Sequence, residues 1–253
     1  MTQWPEKWQD LELAVFDVET TGLDPEEHRV TEVGIIHFEG GEVVDEYGQL
    51  IDPQRSIPEE STRITGISEE DVKGKPTFDE VAEEVHRRLS GVGLVAYNLS
   101  FDRRFLSMEL ERCGLSWPSA SPELDPLIFA RQFFKDQRKN NLGAVCERLG
   151  IELEGAHRAT NDARVTGDVL YAFADRLPAG LDELLTLQSQ WRQIQEQEMS
   201  KWRNRRGGSR ESEGLSDAFG NQSVGLGPAY IYGDEPDPIR ALYQSVPEAN
   251  ERT

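Results

Sequence analysis

Asp17 and Glu19 stand two residues apart at the end of the apolar run Leu13-Ala14-Val15-Phe16. A brief apolar run bounded by turn residues reads as a strand buried on both faces. The side-chain period of two sends both carboxylates out of one face of the sheet, a single pleat apart. Acids held that close repel, and a divalent cation between them relieves the conflict, hard oxygen ligands suiting Mg²⁺ or Mn²⁺. Asp102 lies in the first turn of a predicted helix and heads its stripe of Leu106, Leu110 and Cys113, so its carboxylate should point at the sheet just past a strand end. Asp162 heads another stripe, Thr166, Val169, Leu170, Phe173 and Leu177, and His157 precedes it by five residues in the approach loop. Each has an ordinary explanation: a solvated strand end, an acid favouring a helix dipole, a structural histidine. Four inward acids and one histidine from three separate segments make a metal site the more economical reading.

These residues need a sheet with helices packed on it. Residues 29–39, with Val30, Val33, Ile35, Ile36 and Phe38, predict a second strand; Gly40-Gly41 predicts a tight hairpin, and Glu42 to Ile51 a third strand. The first three strands should therefore be antiparallel neighbours. Ile57 to Ile67 reads as irregular chain, and Ser68-Glu69-Glu70-Asp71 as a capped turn of helix. Thr77 caps a longer helix, after which Leu94 to Tyr97 form a fourth strand, parallel to the first because it is reached through a helix. Asn98-Leu99-Ser100 stops that strand and caps the helix of Asp102. Pro122 to Asp125 predicts a short fifth strand near an edge. Arg131, Lys135, Arg138 and Lys139 interleave with Phe133 and Phe134, either as a phosphate-binding patch or as the solvated end of an amphipathic helix. Asn140-Asn141 opens a helix ended by Gly150, and Gly155 to Ala163 opens the last helix of the core.

The 253 residues suffice for one domain of about 150 to 200 residues plus an appendage. A formal charge of −20 argues against a general electrostatic grip on nucleic acid or an anionic membrane. Attraction to a polyanion would have to come from bound metal and local basic patches. Cys113 and Cys146 sit in apolar helical patterns and read as reduced thiols. The first residues carry no basic start followed by an apolar run, and no stretch approaches the roughly 18 apolar residues of a membrane span. A cytoplasmic protein without a membrane partner is the expectation.

In motif order, spacing and helix context the chain resembles the DEDDh exonucleases, the branch of the DnaQ-like group that includes the proofreading epsilon subunit of bacterial replicative polymerase. Asp17-Val-Glu19-Thr-Thr-Gly-Leu23 resembles the first motif, Asn98-Leu-Ser-Phe101-Asp102 the second, and His157-Arg-Ala-Thr-Asn-Asp162-Ala the third, within residues 11–177. Tyr97 departs from the pattern, standing where many relatives have histidine. The resemblance implies an α/β, ribonuclease H-like fold: a mixed five-stranded sheet, three antiparallel strands then two parallel, flanked by helices. It implies a 3′-to-5′ exonuclease that releases nucleoside 5′-monophosphates from single-stranded or frayed DNA ends. Two divalent cations, Mg²⁺ with Mn²⁺ as substitute, would be held by Asp17, Glu19, Asp102 and Asp162, with His157 as general base. Thr21, Leu23, Ile64, Thr65, Asn98 and Phe101 would meet the terminal nucleotide, and stacking on an apolar side chain tolerates any base. An RNA 3′-end trimming enzyme of the same group shares these motifs. From another class comes a non-catalytic module that binds partners, against which the retention of all four acids and the histidine counts.

After Pro178 the composition changes. Leu181, Leu184, Leu185, Leu187, Trp191 and Ile194 keep a helical period through residues 181–206, where Lys201, Arg203, Arg205 and Arg206, followed by Arg210, make a basic end. This helix docks on the core or binds a partner. Residues 207–253, rich in Gly, Ser, Pro and acids and punctuated by Phe219, Tyr230, Tyr232 and Tyr243, read as a flexible tail. By family analogy the C-terminal region would tether the enzyme to a polymerase or a sliding clamp.

Overall fold

A computed structural model describes residues 4–207 except 138 and 154–156. Arg138, the Gly155-Ala156 approach, Arg210 and the four tail aromatics, together with the side chains of Arg203, Arg205 and Arg206, lie outside the described residues. The strands β1 (Glu12–Thr20), β2 (Val30–Glu39) and β3 (Glu42–Leu50) form an antiparallel meander. β4 (Gly93–Val95) and β5 (Glu123–Leu124) add in parallel on the other side of β1, giving the order β3-β2-β1-β4-β5. The mixed sheet expected from sequence is the one observed. Eight α-helices are seen among the described residues: α1 (Glu59–Thr65), α2 (Glu69–Val72), α3 (Phe78–Leu89), α4 (Leu99–Arg112), α5 (Pro126–Phe133), α6 (Leu142–Leu149), α7 (Ala159–Ala172) and α8 (Leu181–Gly207).

The pleat divides β1 between two cores. Leu13 and Val15 join Ile36 and Phe38 in the cluster covered by α5, α6 and α7, while Ala14, Phe16 and Val18 join Val33 and Ile35 under α3 and α4. A Cβ on Gly34 would come within 2.3 Å of the Ala159 backbone, and one on Gly48 within 2.5 Å of the Thr160 side chain. These two glycines pair across β2 and β3, and Gly34 also pairs with Asp17. They floor a notch into which the first turn of α7 drops, bringing that turn down beside Asp17.

The fifth strand is at an edge, as expected, and its outer side is closed by a side chain. Gln188 of α8 donates from Nε2 to the Glu123 carbonyl at 2.8 Å and accepts from the Asp125 N–H at 2.7 Å through Oε1. One amide thus does for β5 what a neighbouring strand would do. Gln195 adds a bond to the Ile128 carbonyl at 3.0 Å, and Trp191 meets Phe129 and Phe133 edge-on. Of the two expectations for this helix, docking on the core is seen.

Three local expectations change. Residues 57–67 are not irregular: α1 occupies Glu59–Thr65, with Pro58 before it, two acids in its first turn and Gly66 closing it at φ 70°. Asn98 stands at the N-cap of α4 as expected, but the cap is made by backbone and not by its side chain: it is left-handed at φ 69°, its carbonyl accepts from Phe101 N, and its N–H goes to Asp125. Arg131 is buried and the rings of Phe133 and Phe134 face Phe173, so this part of the basic run belongs to the core and not to a phosphate patch. Both cysteines are free thiols, Cys146 buried and Cys113 half-buried. No helix among the described residues is long and apolar enough to cross a membrane.

Candidate active site

β1 runs on past the end of β4, whose last residue, Val95, pairs with Val15. The overhang carries Asp17 and Glu19 on the face toward α7, Asp17 half-buried and Glu19 almost completely so. Beyond β4 the N–H of Val18 has no strand to pair with on that side, and Asp102 takes it: Oδ1 accepts at 3.1 Å. The first turn of α4 is thereby fixed against the stretch between the two acids. From the other direction α7 sits in its glycine notch with Asp162 in its first turn, and Asp162 Oδ2 accepts from the His157 N–H at 3.0 Å. That bond holds His157 in a left-handed conformation, φ 69°.

The result is convergence. One ligand atom from each of Glu19, His157 and Asp162 lies within 4.8 Å of the other two. Burial pushes the Asp17 carboxyl well above the ordinary aspartate range, and the nearby Asp102, Asp162 and Glu19 push it further. Glu19 is raised for the same first reason, with Asp162 and Glu32 adding and Arg158 opposing. Asp102 is raised by burial against the pull of the Val18 N–H. Burial pushes Asp162 up to about 6, its bond from His157 acting the other way. Glu19 Oε2 is buried without a hydrogen-bond partner among the described residues. Clustered carboxylates held above their usual range, with an orphaned buried oxygen, fit a divalent cation as the missing partner.

A family model described as Exonuclease, RNase_T, matches residues 14–170. The chain belongs to this exonuclease family. Its relatives include the PolC-type DNA polymerase III of Thermotoga maritima, 39% identical over 169 residues, and that of Clostridium perfringens, 36% identical over 161. These alignments cover 66% and 64% of this chain but only 12% and 11% of the polymerases. Among solved structures, E. coli Exonuclease I in complex with a dT13 oligonucleotide matches with a TM-score of 0.61 at 19% identity, over 66% of this chain and 41% of that one. Exonuclease X in complex with 5′ overhanging duplex DNA matches at 0.56 and 22%, over 70% and 99%. At those identities the likeness is one of fold, and together the comparisons give a DnaQ-like 3′-to-5′ exonuclease domain.

Within this exonuclease domain the residues expected to meet substrate are not alike. Leu23 is half-buried and packs at the rim of the cluster that holds Phe101 and Phe105. Phe101 is buried, 5.0 Å from Phe105 between ring centres. Thr21 is buried, its hydroxyl accepting from Arg29 N at 3.1 Å and lying 3.2 Å from His28 Nδ1. Ile64 is half-buried on α1, whereas the Thr65 hydroxyl is occupied at the end of its own helix, donating to Ser61 and accepting from Ile67 N. Asn98 is buried with Nδ2 unpartnered among the described residues. Tyr97, the departure from the family pattern, turns into the core and donates to the Asn140 carbonyl at 2.5 Å, tying the end of β4 to the start of the α6 segment.

Sequence reasoning missed Glu32. It faces Glu19 across β1 and β2 and is buried, with Arg158 wrapped on its carboxylate. An acid in the middle of the apolar run Val30 to Phe38 was the available signal.

Proposed function

We propose that the chain is a metal-dependent exonuclease that removes nucleotides from the 3′ ends of single-stranded or frayed DNA as nucleoside 5′-monophosphates. The observation that carries this reading is the meeting of Glu19, Asp162 and His157 beside Asp17, with one Glu19 oxygen buried and unpaired. Asp17, Glu19, Asp102 and Asp162 would hold two Mg²⁺ ions, Mn²⁺ substituting. Such ions, when bound, polarise the phosphate and make water a nucleophile at neutral pH. His157 takes the proton of the attacking water, a task an imidazole nitrogen beside the acid cluster is suited to. Asp162 sets the orientation of that histidine through its backbone N–H. Leu23 offers the terminal base an apolar surface that reads no sequence, and Phe101 supports it from within. Thr21 has its hydroxyl and its N–H both engaged with Arg29, and contributes by fixing the turn that carries Leu23.

The two nucleases of like fold are described bound to DNA, and the two relatives named above are DNA polymerases, which supports DNA as substrate and a polymerase as partner. Residues 11–177 would carry the chemistry and the region after them the tether. Matched 3′-end-labelled DNA and RNA oligonucleotides, digested with Mg²⁺, Mn²⁺ or chelator, test the reading. Metal-dependent loss of label with DNA preferred is the expected result. Preference for RNA would replace the substrate class, and no cleavage of either would leave a binding module.

A further inference from the structure

Two acids face each other across β1 and β2, and their oxygens are used in opposite ways. Glu19 keeps Oε2 unpaired. Glu32 has both oxygens occupied: Oε1 accepts from Arg158 Nη2 at 2.6 Å and Nε at 3.1 Å, while Oε2 accepts from the Ala159 N–H at 3.1 Å and from Arg158 Nε at 3.3 Å. The Glu32 side chain is 3% exposed. A buried carboxylate this close to the four others adds to their mutual repulsion, and it raises Asp17, Glu19 and Asp162 alike. Its place there is offset by a guanidinium fork and by the positive end of α7, whose first N–H it receives.

We propose, resting on the exonuclease reading, that Glu32 is the positioning residue for the turn that carries His157 and Asp162. The three residues it governs are consecutive: His157, whose ring faces Glu19; Arg158, forked onto Glu32; and Ala159, capped by it. The glycine notch fixes how deep α7 sits, but a notch floored by Gly34 and Gly48 leaves the turn free to pivot over it. Glu32 removes that freedom by gripping the turn on two sides. With the grip gone, the His157 ring and the Asp162 carboxylate lose their relation to β1, although Glu32 itself is buried away from substrate. Misplacement by an ångström is enough to slow a reaction about 100-fold.

The full chain is assayed for kcat and KM on a 3′-labelled oligonucleotide, in parallel with hydrogen exchange at the Ala159 amide. Glu32→Ala is expected to lower kcat by about 10- to 100-fold with KM changed by less than about threefold. Exchange at Ala159 should quicken while the global unfolding transition persists. Glu32→Gln, whose carbonyl still accepts from Ala159 N, should recover part of kcat and of the protection. A kcat within about twofold of wild type, a change in KM alone, or a glutamine variant no better than the alanine one would overturn the proposal. Should Glu32→Ala not fold, Arg158→Gln carries the same test. If the wild-type protein itself cleaves nothing, the exonuclease reading fails. The exchange at Ala159 then still decides whether Glu32 holds the turn, unchanged protection in the variant sinking it.

Discussion

Asp162 shows what the acid cluster does to the protein that carries it. Burial pushes it up to about 6, well above an ordinary aspartate. A carboxyl raised on folding contributes stability below its unfolded pKa and loses that contribution as pH rises through about 6. In chelator, Asp162→Asn should therefore melt above wild type at pH 7, with the gap closing toward pH 5. For a chain of this size the scale is about 2–4 °C for each kcal/mol relieved. Added Mg²⁺ should raise the melting temperature more at pH 7 than at pH 5, because protons compete for the same oxygens. Thermal melts of the two proteins check both statements. Replacing His157 with Ala should leave the fold and the metal-induced stabilisation and slow hydrolysis by about 100-fold or more, the usual yield of a general base. For the four candidate acids, spacing of two along a strand and three or four along a helix tells which way each side chain points; His157, in a loop before α7, has no such period and was named from its nearness to Asp162 and from the motif. Glu32 was not legible as part of the site: its pairing with Glu19 and its grip on Arg158 depend on a strand register that hydrophobic pattern alone does not number.

At the scale of elements, the site depends on how close α7 can come to the sheet. Gly34→Ala would drive a methyl into the Ala159 backbone, which cannot step aside as a flexible side chain can. A loss of about 1–3 kcal/mol is expected, with a larger fall in activity than destabilisation alone explains; denaturant melts beside kinetics separate the two. Gln188 gives a second test, at the edge strand and not among the acids. Gln188→Leu would strip the partners from the Asp125 N–H and the Glu123 carbonyl, and is expected to cost about 1–3 kcal/mol in a urea melt while kcat of the folded protein holds. The strand order was readable because a meander and a helical crossover permit little else, and the short α1 was misread because seven residues carry too little period to distinguish them from loop. The glycines did leave a sign, since glycine inside a strand marks a close backbone approach, though not what approaches. Gln188 left none: a polar residue in a Gln-rich helix looks solvated until the edge of β5 is known to lie beneath it.

For the whole molecule the governing quantity is the charge of −20. Two cations near the site are already paired, Arg158 with Glu32 and Arg29 with Glu109. A polyanionic substrate is then drawn by metal at the acid cluster and by few phosphate contacts elsewhere. On single-stranded DNA each neutralised phosphate contributes about −0.7 to the slope of log affinity against log salt, so a total no steeper than about −2 is expected in salt titrations of binding. A steep slope would mean a basic track engaging the substrate beyond the acid cluster. The central claim is that Asp17 and its neighbours cut from the 3′ end with the help of divalent metal. The most direct test follows product from a 3′-labelled single-stranded oligonucleotide in Mg²⁺, comparing wild type with folded Asp17→Ala. Stepwise release of nucleoside 5′-monophosphates from the 3′ end, absent in the variant, is the expected result. Undiminished release by the folded variant, products bearing a 3′-phosphate, or shortening from the 5′ end would contradict it.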